Sequence, residues 1–286
     1  MPAPARMRLV LISGLSGSGK SIALHALEDS GFNCIDNLPL ALLADTVRLL
    51  RDAGTTRLAL SIDARSGSSL ESLPEFIDRL RTDGTDVRVI FLDARDHTLV
   101  RRFAETRRRH PLAGGDRTIE ECLREERRLL TPVADYGHHV DTSELTPIRL
   151  REWIRKLLEL ESDLRTLVLE SFGYKAGVPL DADLVFDARC LPNPFYEPAL
   201  RALTGQDAAV AGFLGAEPLA ATLVADIAAF LERWLPEYAR DNRNYLTIAI
   251  GCTGGRHRSV YLVEQLAAKY RPRMNVLVRH RELLDT

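Results

Sequence analysis

The sequence predicts an α/β protein in two parts, an N-terminal parallel sheet with helices on both faces and a second, smaller α/β domain. Three observations support this class. Short apolar runs alternate with longer helical patterns up to about residue 160, which is typical of a parallel sheet covered on both sides. A strand-like run near the N terminus leads into a glycine-rich loop and a helical pattern. The 286 residues suffice for two domains of about 100 to 150 residues each, which we place at 7–160 and 161–286.

The composition is that of an ordinary water-soluble protein. Hydrophobic residues make up 45%, charged residues 27%, and the formal net charge is -2. Global charge therefore indicates neither a nucleic-acid partner nor an acidic substrate, and such a partner would need a local patch. The four cysteines lie too far apart for a C-x-x-C motif. With no signal peptide and no long apolar span, we expect a cytoplasmic protein with reduced thiols, no structural zinc, no membrane contact and an N-terminal extension at residues 1–6.

The first informative segment is residues 14–21, Gly-Leu-Ser-Gly-Ser-Gly-Lys-Ser, which matches the phosphate loop G-x-x-x-x-G-K-S/T at every fixed position. An apolar run at 9–12 precedes it, and a helix is expected from Lys20 to before Gly31. A plain turn would not require lysine and serine after the last glycine. We predict a nucleotide site in which backbone N–H groups hold phosphate, Lys20 supplies a cation and Ser21 binds Mg²⁺. The candidate ligands are Gly14, Leu15, Ser16, Gly17, Ser18, Gly19, Lys20 and Ser21, the last two being the candidate catalytic residues.

Aspartates end three of the other predicted strands. We expect strands at 8–13, 33–36, 58–62 and 87–92, with helices at 39–52 and 70–82. Because the carboxyl ends of parallel strands line the ligand crevice, Asp36, Asp63 and Asp93 should face the phosphate loop. Each is equally well explained as a turn residue. Asp63 is the candidate Mg²⁺ ligand, since its strand is long enough to lie beside the first strand.

An arginine-rich helical segment at 96–109 leads into a glycine hinge at 110–115. Its arginines are Arg101, Arg102, Arg107, Arg108 and Arg109. This pattern is similar to the lid of small P-loop kinases, where guanidinium groups neutralise the transferring phosphate. The alternative is a solvated basic face paired with glutamates of the next helix, namely Glu120, Glu121, Glu125 and Glu126. A helix capped by Thr146 and running from Pro147 to about residue 160 closes the first domain.

A second glycine-rich loop follows a strand in the C-terminal half. There we expect strands at 166–170 and 246–250, helices at 218–238 and 258–270, and an edge strand at 275–278. The loop residues are Cys252, Thr253, Gly254, Gly255, Arg256, His257, Arg258 and Ser259. Its N–H groups and arginines suit an anion or a sugar phosphate, which is our prediction. The C-x5-R spacing also fits a cysteine-dependent phosphatase, although Gly251 stands where that motif usually has histidine, and a plain turn is the third alternative.

Several segments together resemble the RapZ/YvcJ family of bacterial nucleotide-binding proteins, from residue 7 to near residue 280. They are the two loops and residues 34–39, 107–112, 171–175, 182–187 and 191–194. The resemblance implies a P-loop kinase-like N-terminal domain that binds and slowly hydrolyses ATP and GTP. The family's ATP site corresponds to 14–21. Its guanine-nucleotide segment corresponds to Asp63, Ala64, Arg65 and Ser66.

The resemblance also implies a role for the C-terminal domain. In enteric relatives this domain binds small RNAs and glucosamine-6-phosphate, and the protein hands an RNA to an RNase as an adapter in amino-sugar control. Those relatives end in a strongly basic tail, whereas here Glu282 and Asp285 follow the last arginines. We therefore predict weak, salt-sensitive RNA binding. Removing the last sixteen residues should eliminate this binding without unfolding the domain. The candidate RNA contacts are Arg271, Arg273, Arg279 and Arg281.

The leading hypothesis is a nucleotide-binding regulatory protein with Mg²⁺-dependent ATPase and GTPase activity, whose output is binding to a partner. One alternative is a small-molecule P-loop kinase that uses the arginine lid. Another is an RNA-binding adapter with a vestigial nucleotide site. The sequence leaves open the physiological partner, the catalytic base, the nucleotide preference and whether the protein is a homo-oligomer.

Overall fold

The computed structural model describes residues 7–106, 108–114, 116–159, 166–240 and 245–283, without the side chains of 66–69 and 239–240. The chain divides into two compact units, residues 1–159 and 160–286. The expected N-terminal extension, Arg107, Gly115, Asp285 and the predicted domain boundary at 160/161 lie outside the described residues. Each unit has its own parallel sheet and its own apolar core.

Five parallel strands form the N-terminal sheet, in the order β2-β3-β1-β4-β5. They are β1 (Arg8–Gly14), β2 (Asn33–Ile35), β3 (Arg57–Ser61), β4 (Asp86–Asp93) and β5 (His138–Asp141). The four predicted strands are confirmed to within a residue or two, and β3 does lie beside β1, as expected of the strand that precedes Asp63. The sequence analysis missed β5, because four residues that include two histidines give no apolar run.

The helices of this unit are α1 (Lys20–Asp29), α2 (Leu43–Asp52), α3 (Leu73–Thr82), α4 (Asp96–Thr106), α5 (Ile119–Ala134) and α6 (Pro147–Glu159). Helices α2 and α3 begin later than predicted, because 3-10 turns at Leu40–Leu42 and Ala64–Ser72 precede them. The arginine-rich helix α4 is shorter than expected and ends at Thr106. A proline at position 111 disfavours helical geometry at His110, so the helix cannot extend into the hinge. Thr146 Oγ1 accepts a hydrogen bond from Arg149 N at 3.4 Å, as predicted for its cap.

The core of the N-terminal unit fixes the edge of the sheet where the loops meet. Strand β1 is buried along nearly its whole length, with Leu9 and Ile12 fully covered. Burial on both faces requires a continuous apolar strand, which is what the run at 9–12 provides. The carboxyl ends of β1, β3, β4 and β5 therefore stand at one edge, and the segments that follow them converge there.

The C-terminal unit has a four-stranded parallel sheet in the order β7-β8-β6-β9. Its strands are β6 (Thr166–Gly173), β7 (Leu184–Asp187), β8 (Tyr245–Cys252) and β9 (Asn275–His280), and its helices are α7 (Ala208–Gly215), α8 (Pro218–Arg240) and α9 (Arg258–Tyr270). The second α/β domain and its edge strand β9 are confirmed. The short elements β7 and α7 were not predicted, because neither is long enough to establish a period.

Among the described residues, no single helix combines the length and apolarity needed to cross a bilayer. One bent pair, Ala208–Gly215 with Pro218–Tyr238 at 88°, meets that test jointly by length and composition.

Candidate functional site

The phosphate loop joins β1 to α1 at the carboxyl edge of the N-terminal sheet. Gly14 (φ 137°) and Gly19 (φ 107°) adopt backbone angles that favour glycine. A Cβ atom at Gly14 would collide with the backbone of Leu92, and one at Gly19 would lie 2.6 Å from Leu150 Cδ2. The fixed glycines of the motif thus allow the loop to approach β4 and α6 closely.

Lys20 and Ser21 open helix α1, at the end where backbone N–H groups and the helix dipole attract anions. Lys20 Nζ donates a hydrogen bond to Gly14 O at 2.6 Å, so the amino group lies back over the loop. Burial lowers the pKa of Lys20, while nearby carboxylates, foremost that of Glu126, act to raise it. The Ser21 side chain is exposed. Both candidate catalytic residues therefore stand where a phosphate would bind.

A cavity of about 660 Å³ opens beside the loop, within the size range of small-molecule sites. The structure brings together on its wall the loop, two strand-end aspartates and arginines of the predicted lid. Residues on this wall include Ser16, Gly17, Ser18, Gly19, Lys20, Ser21, Asp36, Asp63, Arg65, Arg102, Arg108, Arg109 and Thr142.

The strand-end aspartates differ in what they bind. Asp63 Oδ1 accepts from Arg65 N at 3.0 Å and Oδ2 accepts from Arg65 Nε at 2.8 Å. Asp63 therefore begins the 3-10 turn at Ala64 and also faces the cavity, so both interpretations of this residue apply. Asp93 instead accepts from the Arg127 guanidinium at 2.5 Å and ties α5 to β4. In the predicted guanine segment, Ala64 is buried, Arg65 is exposed, and the side chain of Ser66 lies outside the description.

The lid arginines occupy three kinds of position. Arg108 and Arg109 are exposed on the cavity wall. Arg101 lies 3.9 Å from Glu105 on its own helix. Arg102 donates to Gly17 O at 3.0 Å, and burial lowers its pKa. Arg102, predicted as a lid residue, thus holds the backbone of the phosphate loop.

The predicted alternative is that these arginines pair with the glutamates of α5. Three of those glutamates have other partners in the structure. Glu121 accepts from Thr118 N at 2.9 Å in a capping box. Glu125 pairs with Arg128 at 2.7 Å on the same helix. Glu126 points into the protein and binds the phosphate loop.

Two supports of the loop were missed by the sequence analysis. The first is Thr142, directly after β5, whose hydroxyl donates to Ser18 O at 2.9 Å and accepts from Arg102 at 3.1 Å. No local pattern marks Thr142, because its partners lie far away in the chain. It anchors the loop to the end of β5.

The second support is Glu126, a fully buried carboxylate on α5. Ser16 Oγ donates to its Oε1 at 2.7 Å, and Ser16 N donates to its Oε2 at 2.9 Å. His110 Nε2 lies 3.0 Å from the same Oε2. Burial acts to raise the pKa of Glu126, but the hydrogen bonds from His110 and Ser16 and the charge of Lys20 hold it below its usual value. The sequence did carry a signal, since Glu126 falls in the apolar stripe of α5.

The C-terminal loop joins β8 to α9 and keeps all eight predicted residues in one strand-turn-helix unit. Arg258 is buried and donates to the carbonyl oxygens of Arg189 (3.1 Å) and Leu191 (3.0 Å). Cys252 Sγ lies 3.2 Å from Ser259 Oγ. Burial acts to raise the pKa of Cys252, yet hydrogen bonds and the charge of Arg258 lower it overall. The loop thus concentrates positive charge and polar hydrogens around a buried thiol.

The rest of this loop divides between solvent and interior. Thr253, Gly254 and Arg256 are exposed, whereas His257 is buried, and that burial lowers its pKa. Gly255 (φ 69°) lies against the carboxylate of Glu282, and a Cβ atom there would collide with it. The part of the loop open to solvent is therefore Thr253, Gly254 and Arg256.

The four candidate RNA-binding arginines do not share one surface. Arg271 and Arg273 are exposed, and Arg273 pairs with Glu232 at 2.7 Å. The side chain of Arg279 is only 10% exposed and that of Arg281 only 2%, and both approach Glu170. The expectation that all four are available to a ligand is wrong for these two, because a buried acid holds them inside the sheet.

The fold and the two loops define an α/β protein with a P-loop and a second glycine-rich loop between a strand and a helix. Residues 7–162 match the family model of the RapZ-like N-terminal domain, and residues 165–284 match that of the RapZ C-terminal domain. The chain therefore belongs to the RapZ family, which confirms the resemblance drawn from its sequence.

Relatives from two bacteria match nearly end to end. A protein of Chromobacterium violaceum is 53% identical over 97% of this chain and 99% of its own length. One of Thiobacillus denitrificans is 56% identical over 97% of this chain and 100% of its own length. Both are called nucleotide-binding proteins. The family assignment rests on these sequence matches.

Among solved structures, a sugar kinase from Janibacter sp. HTCC2649 is 19% identical over 54% of this chain and 95% of its own, with a TM-score of 0.37. A shikimate kinase from Bacteroides thetaiotaomicron is 17% identical over 54% of this chain and 99% of its own, with a TM-score of 0.38.

Proposed function

We propose that this protein binds ATP and GTP with Mg²⁺ over residues 14–21, hydrolyses them slowly, and acts through binding to a partner as a nucleotide-dependent regulator. One observation carries the proposal. The complete phosphate loop, with Lys20 and Ser21 at the N terminus of α1, lines a cavity of about 660 Å³. The name shared by the relatives, nucleotide-binding protein, supports the ligand class.

Each group on the cavity wall has a role in this function. Loop N–H groups and the α1 dipole hold the phosphates, and Lys20, which the Gly14 carbonyl holds over the loop, donates to a phosphate oxygen through its remaining N–H groups. Arg108 and Arg109 offset the negative charge that a phosphate brings. Together these groups favour binding and modest acceleration of phosphate release.

The wall also offers oxygen donors of the kind that Mg²⁺ prefers, the Ser21 hydroxyl and the Asp63 carboxylate. When bound, the ion would neutralise charge on the nucleotide phosphates. Asp63 would have to share its carboxylate with Arg65, which it already binds. These two residues fit a site completed mainly by nucleotide and water.

The test compares Lys20→Ala with Lys156→Ala, a matched change at an exposed lysine of α6. We expect Lys20→Ala to abolish ATP and GTP hydrolysis with the fold intact, since the variant loses the cation that meets the phosphates. Phosphate release, binding of a fluorescent ATP analogue and thermal unfolding are measured for both. Unchanged turnover in Lys20→Ala would remove the nucleotide-site assignment.

A small-molecule kinase is the second candidate, and the exposed Arg108 and Arg109 on the same cavity favour it. A kinase transfers the γ-phosphate stoichiometrically to an acceptor, whereas the regulator releases only inorganic phosphate. Incubation with radiolabelled ATP and a small-molecule extract separates the two, because a labelled organic product appears only with a kinase.

For the C-terminal loop we propose binding of a phosphate ester, with glucosamine-6-phosphate as the first ligand to test. The positive charge of Arg258 beside the loop and the exposure of Thr253 and Gly254 support this choice. A weak RNA-adapter role toward an RNase belongs to the same proposal, with Arg271 and Arg273 as its exposed contacts. Crosslinking in lysate, followed by sequencing of bound RNA and identification of bound proteins, tests that role.

A further inference from the structure

We propose that Glu126 is the positioning residue of the phosphate site. Its buried carboxylate holds Ser16 of the loop and His110 of the hinge at once, and so fixes where Arg108 and Arg109 stand beside the loop. The inference rests on the proposed function of the cavity, because it assigns these arginines a place in nucleotide hydrolysis.

Both carboxylate oxygens of Glu126 are engaged. Oε1 accepts from Ser16 Oγ at 2.7 Å, while Oε2 accepts from Ser16 N at 2.9 Å and lies 3.0 Å from His110 Nε2. The side chains of Glu126 and His110 are 0% and 1% exposed. Burying a carboxylate without hydrogen-bond partners destabilises a folded protein. The position of the Glu126 carboxylate is therefore tied to Ser16 and His110, which supply its hydrogen bonds.

The hydrogen bonds of His110 determine its tautomer. Nδ1 accepts from Leu112 N at 3.1 Å, so the proton of the neutral ring is on Nε2 and points at Glu126. The ring also packs against Phe103, with centroids 5.3 Å apart. His110 is therefore held on several sides. Because consecutive Cα atoms are about 3.8 Å apart, the arginines one and two residues earlier are confined to its neighbourhood.

Helix α5, which carries Glu126, is anchored to the N-terminal sheet. The next residue, Arg127, donates to Asp93 at 2.5 Å and to Ala94 O at 2.9 Å, at the end of β4. Strand β4 lies beside β1, from which the phosphate loop departs. The loop and the carboxylate that grips it are thus anchored to adjacent strands, and the hinge is attached to the same carboxylate.

Glutamine can reproduce this arrangement. Its amide oxygen at the Oε2 position would accept from Ser16 N and His110 Nε2, and its NH₂ group would donate to Ser16 Oγ, because a hydroxyl both donates and accepts. Leucine has nearly the same size but offers no acceptor. We therefore expect Glu126→Leu to lose the links to the loop and the hinge, and Glu126→Gln to retain them.

The experiment is a double-mutant cycle on the full chain, with kcat and KM measured for ATP hydrolysis. One arm is Arg108→Ala with Arg109→Ala, the other is His110→Ala, and Arg128→Ala on α5 is the control. In the natural background the arginine arm should lower kcat about tenfold or more. In the His110→Ala background the same change should have little further effect, because the arginines are no longer positioned. Glu126→Leu should lower kcat by up to about 100-fold, with a smaller change in KM, whereas the conservative Glu126→Gln should retain most of the activity.

A purely structural role for Glu126 would lower thermal stability and leave the arginine effect intact. Equal arginine effects in both backgrounds would therefore overturn the inference, while Lys20-dependent hydrolysis would leave the proposed function standing. If Glu126→Leu fails to fold, the double-mutant cycle between His110 and the two arginines still tests the inference. If the natural protein shows no Lys20-dependent hydrolysis or nucleotide binding, the proposed function and this inference fall together.

Discussion

Arg279 on β9 lies directly opposite Glu170 on β6, and its guanidinium approaches the Glu170 carboxylate to 3.6 Å inside the C-terminal sheet. Arg281 reaches the same carboxylate at 3.7 Å. Arg281 lies one residue beyond β9, where its N–H still donates to Ser171 O, so it continues the alternation of the strand and falls on the same face as Arg279. A tail that looks like a scattered basic surface in the sequence is thus partly a component of the fold.

RNA binding, if it follows the proposal, should depend on Arg271 and Arg273 and not on the buried pair. Each phosphate contact adds about 0.9 to the slope of log affinity against log salt, so replacing both exposed arginines with alanine should reduce the slope by about 2. Filter binding of a structured RNA from 50 to 200 mM salt measures this. Unaltered affinity in the double variant would place the RNA surface elsewhere.

Arg279→Ala should instead destabilise the C-terminal unit. Removing one partner of a buried ion pair costs about 3 to 5 kcal/mol when the other charge is left unpaired, and we expect the lower part of this range because Arg281 still reaches Glu170. Deleting residues 271–286 should be more damaging still, since it removes all of β9 and the buried Leu277. The expectation of a dispensable tail is therefore revised. Urea unfolding measures both effects, and an unfolding midpoint that the deletion does not change would contradict this prediction.

Glu282 should make the C-terminal unit less stable as the pH rises. Burial raises its pKa above the ordinary 4.5, so the folded chain prefers the protonated carboxyl. Stability contributed by this group is complete below the ordinary pKa and is lost as the pH climbs through the higher folded value. Glu282→Gln should raise Tm at pH 7 and have little effect at pH 4. An equal change in Tm at the two pH values would exclude the carboxyl as the cause.

Asp63→Asn should weaken nucleotide binding more with Mg²⁺ than without it, because the carboxylate acts through the metal. Asp93→Asn is the matched control, since Asp93 binds Arg127 and should affect both conditions alike. Titration of a fluorescent nucleotide with Mg²⁺ or EDTA separates the two. Equal loss in Asp63→Asn would assign this residue to the turn that it begins.

Cys252→Ser should leave binding of glucosamine-6-phosphate largely intact, whereas Arg258→Ala should abolish it. Arg258 also holds the carbonyl groups of Arg189 and Leu191, so its loss should lower Tm as well. Arg256→Ala, at an exposed position of the same loop, tests whether charge alone suffices. Calorimetry with the sugar phosphate measures affinity. Hydrolysis of an aryl phosphate that stops in Cys252→Ser would favour the phosphatase alternative.

The parts predicted from sequence are those that local chemistry determines. The phosphate loop, its flanking strand and helix, and the long strands of both sheets follow from glycine spacing and apolar runs. Strand β5 was not predicted, because histidines interrupt its apolar pattern. The contact between Ser16 and Glu126 spans 110 residues, and the one between Ser18 and Thr142 spans 124. No periodicity encodes such pairs, although a glutamate within an apolar helical stripe does indicate that a buried partner exists.

The hydrogen bond from Lys20 to the Gly14 carbonyl bears on how strongly the protein can hold its ligand. An ammonium has three N–H donors, so Lys20 can keep this hydrogen bond and still donate to an incoming phosphate. The Gly14 carbonyl therefore orders the long lysine side chain before any ligand arrives. Ordering such a side chain costs up to about 2 kcal/mol of conformational entropy. Because that cost falls on folding, less of it opposes the binding of the phosphate, and the site is preorganised for its ligand.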